Sequence, residues 1–214
     1  MSSILSYLIP QKLAEFSTIY NKHIRVNDEC GAKKLLVNGS IQSGKYIRKL
    51  WRGAFKKFDV ACLNWKTILV LGVGGGTVIE LLHNQFPQGQ ITAVDIDSMI
   101  IDIAKKYFLQ GDISYIHFVT GDAIKYVQEN NLKYDCIIID IFVGNAVPDF
   151  VKTKTFLSDC KKKLTKKGSL CINYLQDREY KEKSEEFDQV LRSLFSHVSD
   201  FRIANNRFFN ATIV

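Results

Sequence analysis

The 214-residue sequence lacks a hydrophobic run that could span a bilayer, which takes about 20 consecutive apolar residues. Its first ten residues, MSSILSYLIP, lack the basic segment and the longer apolar core of a secretory signal peptide. The five cysteines form no Cys-x-x-Cys pair, and the four histidines stand at no metal-ligand spacing. These absences predict a cytoplasmic protein with reduced thiols, no bound metal and no membrane partner.

The formal net charge of +7 at pH 7 raises the question of a polyanionic partner. Part of the excess lies in residues 161–167, KKKLTKK. Lysines near the end of a helix interact favourably with its dipole, so we interpret this run as a solvated helix end. No motif typical of DNA or RNA binding accompanies the charge. We therefore predict that nucleic acid is not the partner, with a polyanion-binding surface as the alternative.

The first part of the chain has a pattern of short strands. Residues 16–26 and 33–44 carry strand-like sequences, and Asn27-Asp28 and Asn38-Gly39 supply turn residues. We interpret residues 1–45 as a small N-terminal β-hairpin appendage.

From residue 46 the pattern changes. An amphipathic helix comes first, and apolar strands then alternate with helices towards the end of the chain. Such alternation predicts an α/β fold for residues 46–214: a Rossmann-like, seven-stranded, mostly parallel sheet with helices on both faces. The last two strands predict a hairpin that adds one antiparallel strand.

The first strand of this alternation runs into a glycine-rich turn, LVLGVGGGTVIELL at residues 69–82. Glycine tolerates positive φ and has no Cβ, so such a turn lets the backbone come close to a ligand. The helix that follows offers free N–H groups to a polar or anionic ligand group. We predict that the turn holds a small molecule through Gly72, Gly74, Gly75, Gly76 and Thr77.

Three carboxylates follow the next strands, where a doubly wound sheet has its ligand crevice. Asp95 ends the second strand, at a spacing that suits a carboxylate gripping both ribose hydroxyls of an adenosine. Asp122 follows the third strand, placed to accept a hydrogen bond from an adenine amino group, and Asp140 ends the fourth. Their neighbours Ile96 and Ala123 complete the predicted pocket. The alternative is that these carboxylates only cap helices or turns, and for Asp122 both interpretations are equally supported.

Two classes of ligand suit a glycine turn followed by strand-end carboxylates. A dinucleotide fold favours G-x-G-x-x-G, whereas Thr77 occupies the third glycine position here. A dehydrogenase would also need a second substrate domain, for which no sequence remains. An adenosyl sulfonium donor suits the seven-stranded sheet and its terminal hairpin better. We therefore predict S-adenosylmethionine or its decarboxylated form as the co-substrate.

Five stretches taken together, LVNGSIQSG, ILVLGVGGGT, AVDID, GDA and YDCIIID, resemble the spermidine synthase superfamily within the class I methyltransferase fold. The resemblance runs from about residue 16 to the end and includes the N-terminal hairpins. It implies a transferase with an S-adenosylmethionine-type donor and a homodimer formed through those hairpins. It also implies that Asp140 is catalytic, because Asp140 stands where the polyamine synthases carry their proton acceptor.

The sequence departs from the synthase pattern where the resemblance links residues to the aminopropyl donor and the polyamine. Thr77 stands where the GGGDG motif has the Asp that holds the amino group of the decarboxylated donor. The Tyr-Gln-Glu element after IQSG is missing, and IFVGNAVPDF replaces the Ser-Ser-Asp-Pro loop after Asp140. A lost charge-assisted hydrogen bond costs about 1.5–3 kcal/mol. These departures favour a methyltransferase that acts on a small acceptor such as an amine.

Two other functions stay open. One is a polyamine aminopropyltransferase, in which Asp140 and Asp149 would contribute to an acidic acceptor pocket. Against it, the rest of the expected acidic and amide set is missing, and the net charge does not attract a polycation. The other is an adenosyl-ligand-binding protein without turnover. Tyr174, which ends the fifth strand, either lines the acceptor side or packs in the core.

Overall fold

The computed structural model describes residues 4–7, 9–177 and 180–213, which contain two sheets. The smaller sheet is an antiparallel meander of four strands. These strands are β1 Gln11–Phe16, β2 Ile24–Glu29, β3 Ala32–Val37 and β4 Ser40–Ile41.

The turns of the small sheet lie only partly where the sequence predicts them. Asn38 and Gly39 form the predicted turn between β3 and β4, with φ of 48° and 85°. Two-residue hairpin turns require such positive φ values. The prediction of a turn at Asn27-Asp28 is wrong, because both residues pair within β2. The β2–β3 turn instead lies at Cys30-Gly31, whose φ values are 51° and 73°.

The larger sheet has seven strands and confirms the predicted α/β fold. Its strands are β5 Thr67–Leu71, β6 Gln90–Asp95, β7 Ile116–Thr120, β8 Tyr134–Ile139, β9 Leu164–Leu175, β10 His197–Ile203 and β11 Asn206–Thr212. They lie in the order β10-β11-β9-β8-β5-β6-β7. The pairs among β5 to β9 are parallel, whereas β11 is antiparallel to both of its neighbours. The predicted single antiparallel strand is therefore β11.

Helices connect the strands as predicted. They are α1 Lys45–Lys57, α2 Thr77–Gln85, α3 Ser98–Ile103, α4 Ala123–Glu129, α5 Lys154–Lys163 and α6 Tyr180–Leu194. A π-helical turn, Ala104–Phe108, continues α3, and short 3₁₀ turns lie at Ile4–Tyr7, Val60–Cys62 and Asp149–Lys152. No helix in the described part of the chain is both long and apolar enough to cross a membrane.

The core lies on both faces of the large sheet, because side chains alternate along a strand. In β5, Ile68 and Val70 belong to one buried cluster, and Leu69 and Leu71 belong to the other. The first cluster includes residues of α1, α2 and α3 together with inward residues of the small sheet, such as Ile24. The second includes residues of α4, α5 and α6. The small sheet therefore shares one core with the large sheet, and the division at residue 45 stays a prediction.

Two lysines of the run at 161–167 contact the ends of helices other than their own. Lys161 Nζ donates to the carbonyl oxygen of Leu194, at the end of α6. Lys163 Nζ donates to the carbonyl oxygen of Asn130, which caps the end of α4. Unpaired carbonyls at a helix end attract cations. The prediction that the whole run is a solvated helix end is wrong from Leu164 onwards, where β9 begins.

Candidate functional site

The glycine turn between β5 and α2 has no room for side chains at its first positions. Gly72 has a φ of +93°, and an added Cβ would lie 2.3 Å from the carbonyl oxygen of Asp140. Gly74 has a φ of +50°, and its Cβ would lie 2.9 Å from the carbonyl oxygen of Gln42. Both contacts are with backbone, which cannot move aside cheaply. Gly72 and Gly74 line a cleft, as predicted from the sequence.

The next three residues of the turn pack against the protein itself. Gly75 donates its N–H to the Gln42 carbonyl at 3.2 Å, and an added Cβ would lie 2.4 Å from that of Ser43. Gly76 has a φ of +74° and packs against Leu109. Thr77 is 5% exposed, and its hydroxyl accepts a hydrogen bond from the Gly44 N–H at 3.4 Å. The structure does not bring Gly75, Gly76 or Thr77 to the cleft lining.

The cleft beside the turn, here called the nucleoside cleft, has a volume of about 420 Å³. Asp95, Ile96, Asp122, Ala123 and Asp140 all line it, so the structure brings these predicted site residues together. Apolar side chains form much of the remaining wall: Ile19, Val37, Val94, Ile100, Ile141, Phe142, Val143, Pro148 and Phe150.

Asp95 lies at the end of β6, within reach of the glycine turn. Its Oδ2 accepts the Val73 N–H at 2.9 Å, and its Oδ1 accepts the Asp97 N–H at 3.0 Å. Burial raises the pKa of Asp95 above its ordinary value, and these backbone hydrogen bonds oppose that rise.

Asp122 caps α4, because its Oδ1 accepts the Lys125 N–H at 3.0 Å. The capping interpretation is thus confirmed for Asp122, which also lines the cleft.

Asp140 follows β8 and is held by donors on two other elements. The indole N–H of Trp51, on α1, donates to Oδ2 at 3.1 Å. The amide Nδ2 of Asn173, on β9, donates to Oδ1 at 2.8 Å. Asn206, on β11, in turn donates its Nδ2 to Asn173 Oδ1 at 2.8 Å. Burial raises the pKa of Asp140, and the bonds from Asn173 and Trp51 partly offset that rise.

A second cavity, here called the acceptor cavity, adjoins the nucleoside cleft and has a volume of about 520 Å³. Gln42, Asp140 and Phe142 line both spaces and mark their junction. The polar side chains of the acceptor cavity are Ser40, Gln42, Tyr46, Asp140, Asn145, Asn173, Asp177, Tyr180, Asn205 and Asn206. Five of these side chains are amides: Gln42, Asn145, Asn173, Asn205 and Asn206.

Two residues considered for the acceptor side lie elsewhere. The side chain of Asp149 is 95% exposed and pairs with Lys152 at 2.6 Å, and Asp177 is the second carboxylate of the acceptor cavity. Tyr174 is fully buried and stacks on Phe187 with ring centroids 4.6 Å apart. The packing interpretation of Tyr174 is confirmed.

The charge of both spaces is opposite to that of the whole chain. Four carboxylates line them: Asp95, Asp122, Asp140 and Asp177. No Lys or Arg occurs among their lining residues in the described ranges, although the sequence has 29 Lys and Arg against 22 Asp and Glu. The same ranges contain no group of three or more His, Cys, Asp and Glu that could hold a metal ion. The joined cavities therefore favour cationic ligands.

A family model for the spermine/spermidine synthase domain matches residues 54–210, well over half of the chain. The chain belongs to the spermine/spermidine synthase family. Among curated relatives, the polyamine aminopropyltransferase of Vibrio vulnificus is 32% identical over 140 residues, covering 64% of this chain and 46% of that protein. The polyamine aminopropyltransferase of Saccharolobus solfataricus is 28% identical over 173 residues, covering 77% and 58%. The chain thus spans about half the length of these relatives.

Methyltransferases are also similar to this chain. An eEF1A lysine and N-terminal methyltransferase homolog of Drosophila melanogaster is 30% identical over 118 residues, covering 50% of this chain and 17% of that protein.

Among solved structures, a probable spermidine synthase from Corynebacterium glutamicum superposes with a TM-score of 0.79 at 19% identity, covering 94% of this chain and 80% of that one. Human methyltransferase-like protein 13 in complex with SAH gives 0.63 at 22% identity, covering 78% and 80%. These structural similarities show the shared fold.

Four lining or supporting residues of this family member are absent from the sequence-based prediction: Gln42, Trp51, Asn173 and Asp177. Their signals are weak because each is a single polar or aromatic residue outside the glycine turn. Asn173 could have been found, since it interrupts the apolar second half of β9, the strand next to β8, which Asp140 follows. Trp51 looks from its spacing like an ordinary core residue of an amphipathic helix. Only the packing of α1 against the sheet reveals its hydrogen bond.

Proposed function

We propose that this protein transfers the aminopropyl group of decarboxylated S-adenosylmethionine to a small amine. The observation that carries the proposal is the acidic lining of the two cavities, which has no basic side chain among the described residues. The carboxylate of ordinary S-adenosylmethionine would be buried there without a cationic side chain to pair with it, which is unfavourable. The decarboxylated donor and a protonated amine are cations that the carboxylates attract.

This proposal replaces the preference for methyl transfer, which the comparisons do not support. That preference rested on Thr77, on the missing Tyr-Gln-Glu element, on the replaced loop after Asp140 and on the positive net charge. Thr77 is buried against Gly44 and lines neither cavity, so it makes no contact there that could select a donor. The positive charge lies outside the cavity linings. The names of the aminopropyltransferase relatives favour the same conclusion.

The nucleoside cleft fits the adenosyl part of the donor. Asp95, at the end of β6, would hold the ribose hydroxyls, and Gly72 and Gly74 leave room for the backbone to approach. Ile96 and Phe150 would provide apolar contact for the adenine ring. When bound, the donor supplies an electrophilic carbon on a positively charged sulfur, which leaves as a neutral thioether.

Asp140 has the position of a general base in this proposal. It lies at the junction of the two cavities, where an acceptor nitrogen would meet the donor. A new C–N bond forms as the C–S bond breaks, and the proton of the attacking amine passes to Asp140. The raised pKa of Asp140 makes it a stronger base than an exposed aspartate. Asp177 would bind a second cationic group of the acceptor.

The test measures both transfer reactions side by side. The purified protein is incubated with decarboxylated or ordinary S-adenosylmethionine and a set of diamines and triamines, and mass spectrometry identifies the products. We expect amines that gain an aminopropyl group. Asp140→Asn removes the base and is expected to lower kcat about a hundredfold to ten-thousandfold.

Asp149→Asn serves as the matched control, because Asp149 is an exposed aspartate outside both cavities. We expect its rates to equal those of the unchanged protein. Methylated amines formed from S-adenosylmethionine would contradict the proposal and return the methyltransferase hypothesis. Binding of donor without any product would favour the binding protein without turnover.

A further inference from the structure

The carboxylate of Asp140 is held at both oxygens by donors from different parts of the fold. Trp51 on α1 donates to Oδ2, and Asn173 on β9 donates to Oδ1, at 3.1 and 2.8 Å. Two such bonds fix the plane of a carboxylate, since rotation about its terminal torsion would break both. An aspartate held by one donor would keep that rotation.

Each donor is itself immobilised. Trp51 is fully buried, with its ring 4.9 Å from that of Phe208 and 5.4 Å from that of Phe55, measured between centroids. Asn173 is 4% exposed, and the Asn206 amide donates to its Oδ1. That bond decides which end of the Asn173 amide faces Asp140, because the oxygen is occupied and only the nitrogen can turn to the carboxylate.

We propose that Trp51, Asn173 and Asn206 are positioning residues that hold the Asp140 carboxylate in one orientation at the junction of the two cavities. This inference rests on the proposed function and extends it to residues outside the predicted site. Holding the base in place removes a rotation that would otherwise have to be frozen in the transition state. The same helix that supplies Trp51 also contributes Tyr46, Ile47 and Leu50 to the acceptor cavity. Correct docking of α1 therefore shapes the acceptor cavity and orients the base together.

The first test replaces Trp51 by Phe, which keeps an aromatic ring and removes the N–H. The lost N–H stabilised the ionised carboxylate through a hydrogen bond, so the pKa of Asp140 rises. Since Asp140 must be ionised to accept a proton, the acidic limb of the kcat profile shifts to higher pH, by about one unit. At the pH optimum we expect kcat to fall about tenfold while the KM for decarboxylated S-adenosylmethionine stays unchanged.

The titrations of other ionisable groups near Asp140 must be distinguished from that of Asp140 in such a pH profile. Tyr46, Asp177 and Tyr180 line the acceptor cavity, and Asp95 and Asp122 line the nucleoside cleft. Carbon-13 NMR titration of the Asp140 carboxyl in the free protein assigns the shift to Asp140 itself. This measurement needs no turnover, so it tests the positioning role even if the proposed reaction is wrong.

Two further variants guard against a folding defect. Asn206→Ser removes the distal amide without touching Asp140, and we expect a smaller shift in the same direction. Phe55→Leu disturbs the packing around Trp51 but removes no hydrogen-bond donor. We expect the acidic limb of its kcat–pH profile to be unchanged. The inference is overturned if Trp51→Phe and Asn206→Ser leave both the pKa of Asp140 and kcat as they were. It is also overturned if Phe55→Leu shifts them equally.

Discussion

At the scale of single residues, the glycine turn is shaped mainly by the chain around it. Of the four glycines in the turn, Gly72 and Gly74 line the cleft, whereas Gly75 and Gly76 are small because Ser43 and Leu109 occupy the space beside them. The sequence predicts the ligand-binding turn but cannot distinguish glycines that face a ligand from glycines that face the protein. That distinction depends on Ser43, in the segment between β4 and α1, and on Leu109, which are both distant from the turn in sequence.

Thr77 provides a test of this difference at residue scale. Thr77→Val keeps the shape of the side chain and removes the hydroxyl that accepts the Gly44 N–H. Because this side chain lines neither cavity, we expect the ratio of affinities for the decarboxylated and ordinary donors to change by less than about threefold. Calorimetric titration with both donors measures the ratio.

Gln42→Ala is the companion variant, since Gln42 lies at the junction of the cavities. We expect it to weaken donor binding about tenfold through the loss of a polar contact. A tenfold change in the donor ratio for Thr77→Val would instead support the sequence-based interpretation of that position.

At the scale of elements, Asp97 joins the loop between β1 and β2 to the start of α3. The residue is 2% exposed, and its carboxylate accepts hydrogen bonds from the Thr18 hydroxyl at 2.6 Å, the Asn21 amide at 2.8 Å and the Met99 N–H at 3.1 Å. Asn21 and its neighbours Ile19 and Tyr20 line the nucleoside cleft. The small sheet thus contributes a wall of the cleft, held in place by one buried carboxylate.

Asp97→Ala tests this connection. The change leaves the buried hydrogen-bond donors of Thr18 and Asn21 unpaired and removes the cap of α3. We therefore expect the free energy of unfolding to fall by about 2–4 kcal/mol. Donor affinity should fall with it, because the loop that carries Ile19 and Tyr20 loses its anchor. Denaturant unfolding and donor titration give the two quantities. Asp112→Ala is the control: Asp112 is an exposed aspartate that caps a turn at Ser114, and a loss of about 1 kcal/mol or less is expected.

The elements also show where sequence patterns are informative. The strand and helix alternation follows from local apolar periodicity, so the order of elements is predictable from residue 67 onwards. The start of β9 is not predictable in this way: the lysine-rich run is predicted as a helix end, whereas the observed strand begins at Leu164. Pairing of Leu164 with Tyr134 on β8, across a register shift, extends it through the lysine-rich run. Such pairing between distant segments leaves no local periodicity to recognise.

At the scale of the whole molecule, neither cavity is complete without the small sheet. Gln42 and Val37 line the nucleoside cleft, and the β3–β4 turn lines the acceptor cavity. We expect a chain of residues 46–214 to lose donor binding and to expose apolar surface that binds a hydrophobic dye, since Ile24 and Leu35 no longer cover the shared core. A cooperative unfolding transition together with unchanged donor affinity would establish residues 46–214 as an independent domain. The homodimer through the N-terminal hairpins stays a prediction, which sedimentation equilibrium can measure.

The acidic lining of the cavities has a consequence for the order in which products leave. In the proposed reaction the sulfur loses its positive charge, so the nucleoside product is neutral and keeps only its hydrogen bonds, such as those from its ribose hydroxyls to Asp95. The elongated amine carries one more basic nitrogen than its precursor and is attracted at least as strongly. Departure of the amine would then limit turnover, and accumulated amine would inhibit the enzyme.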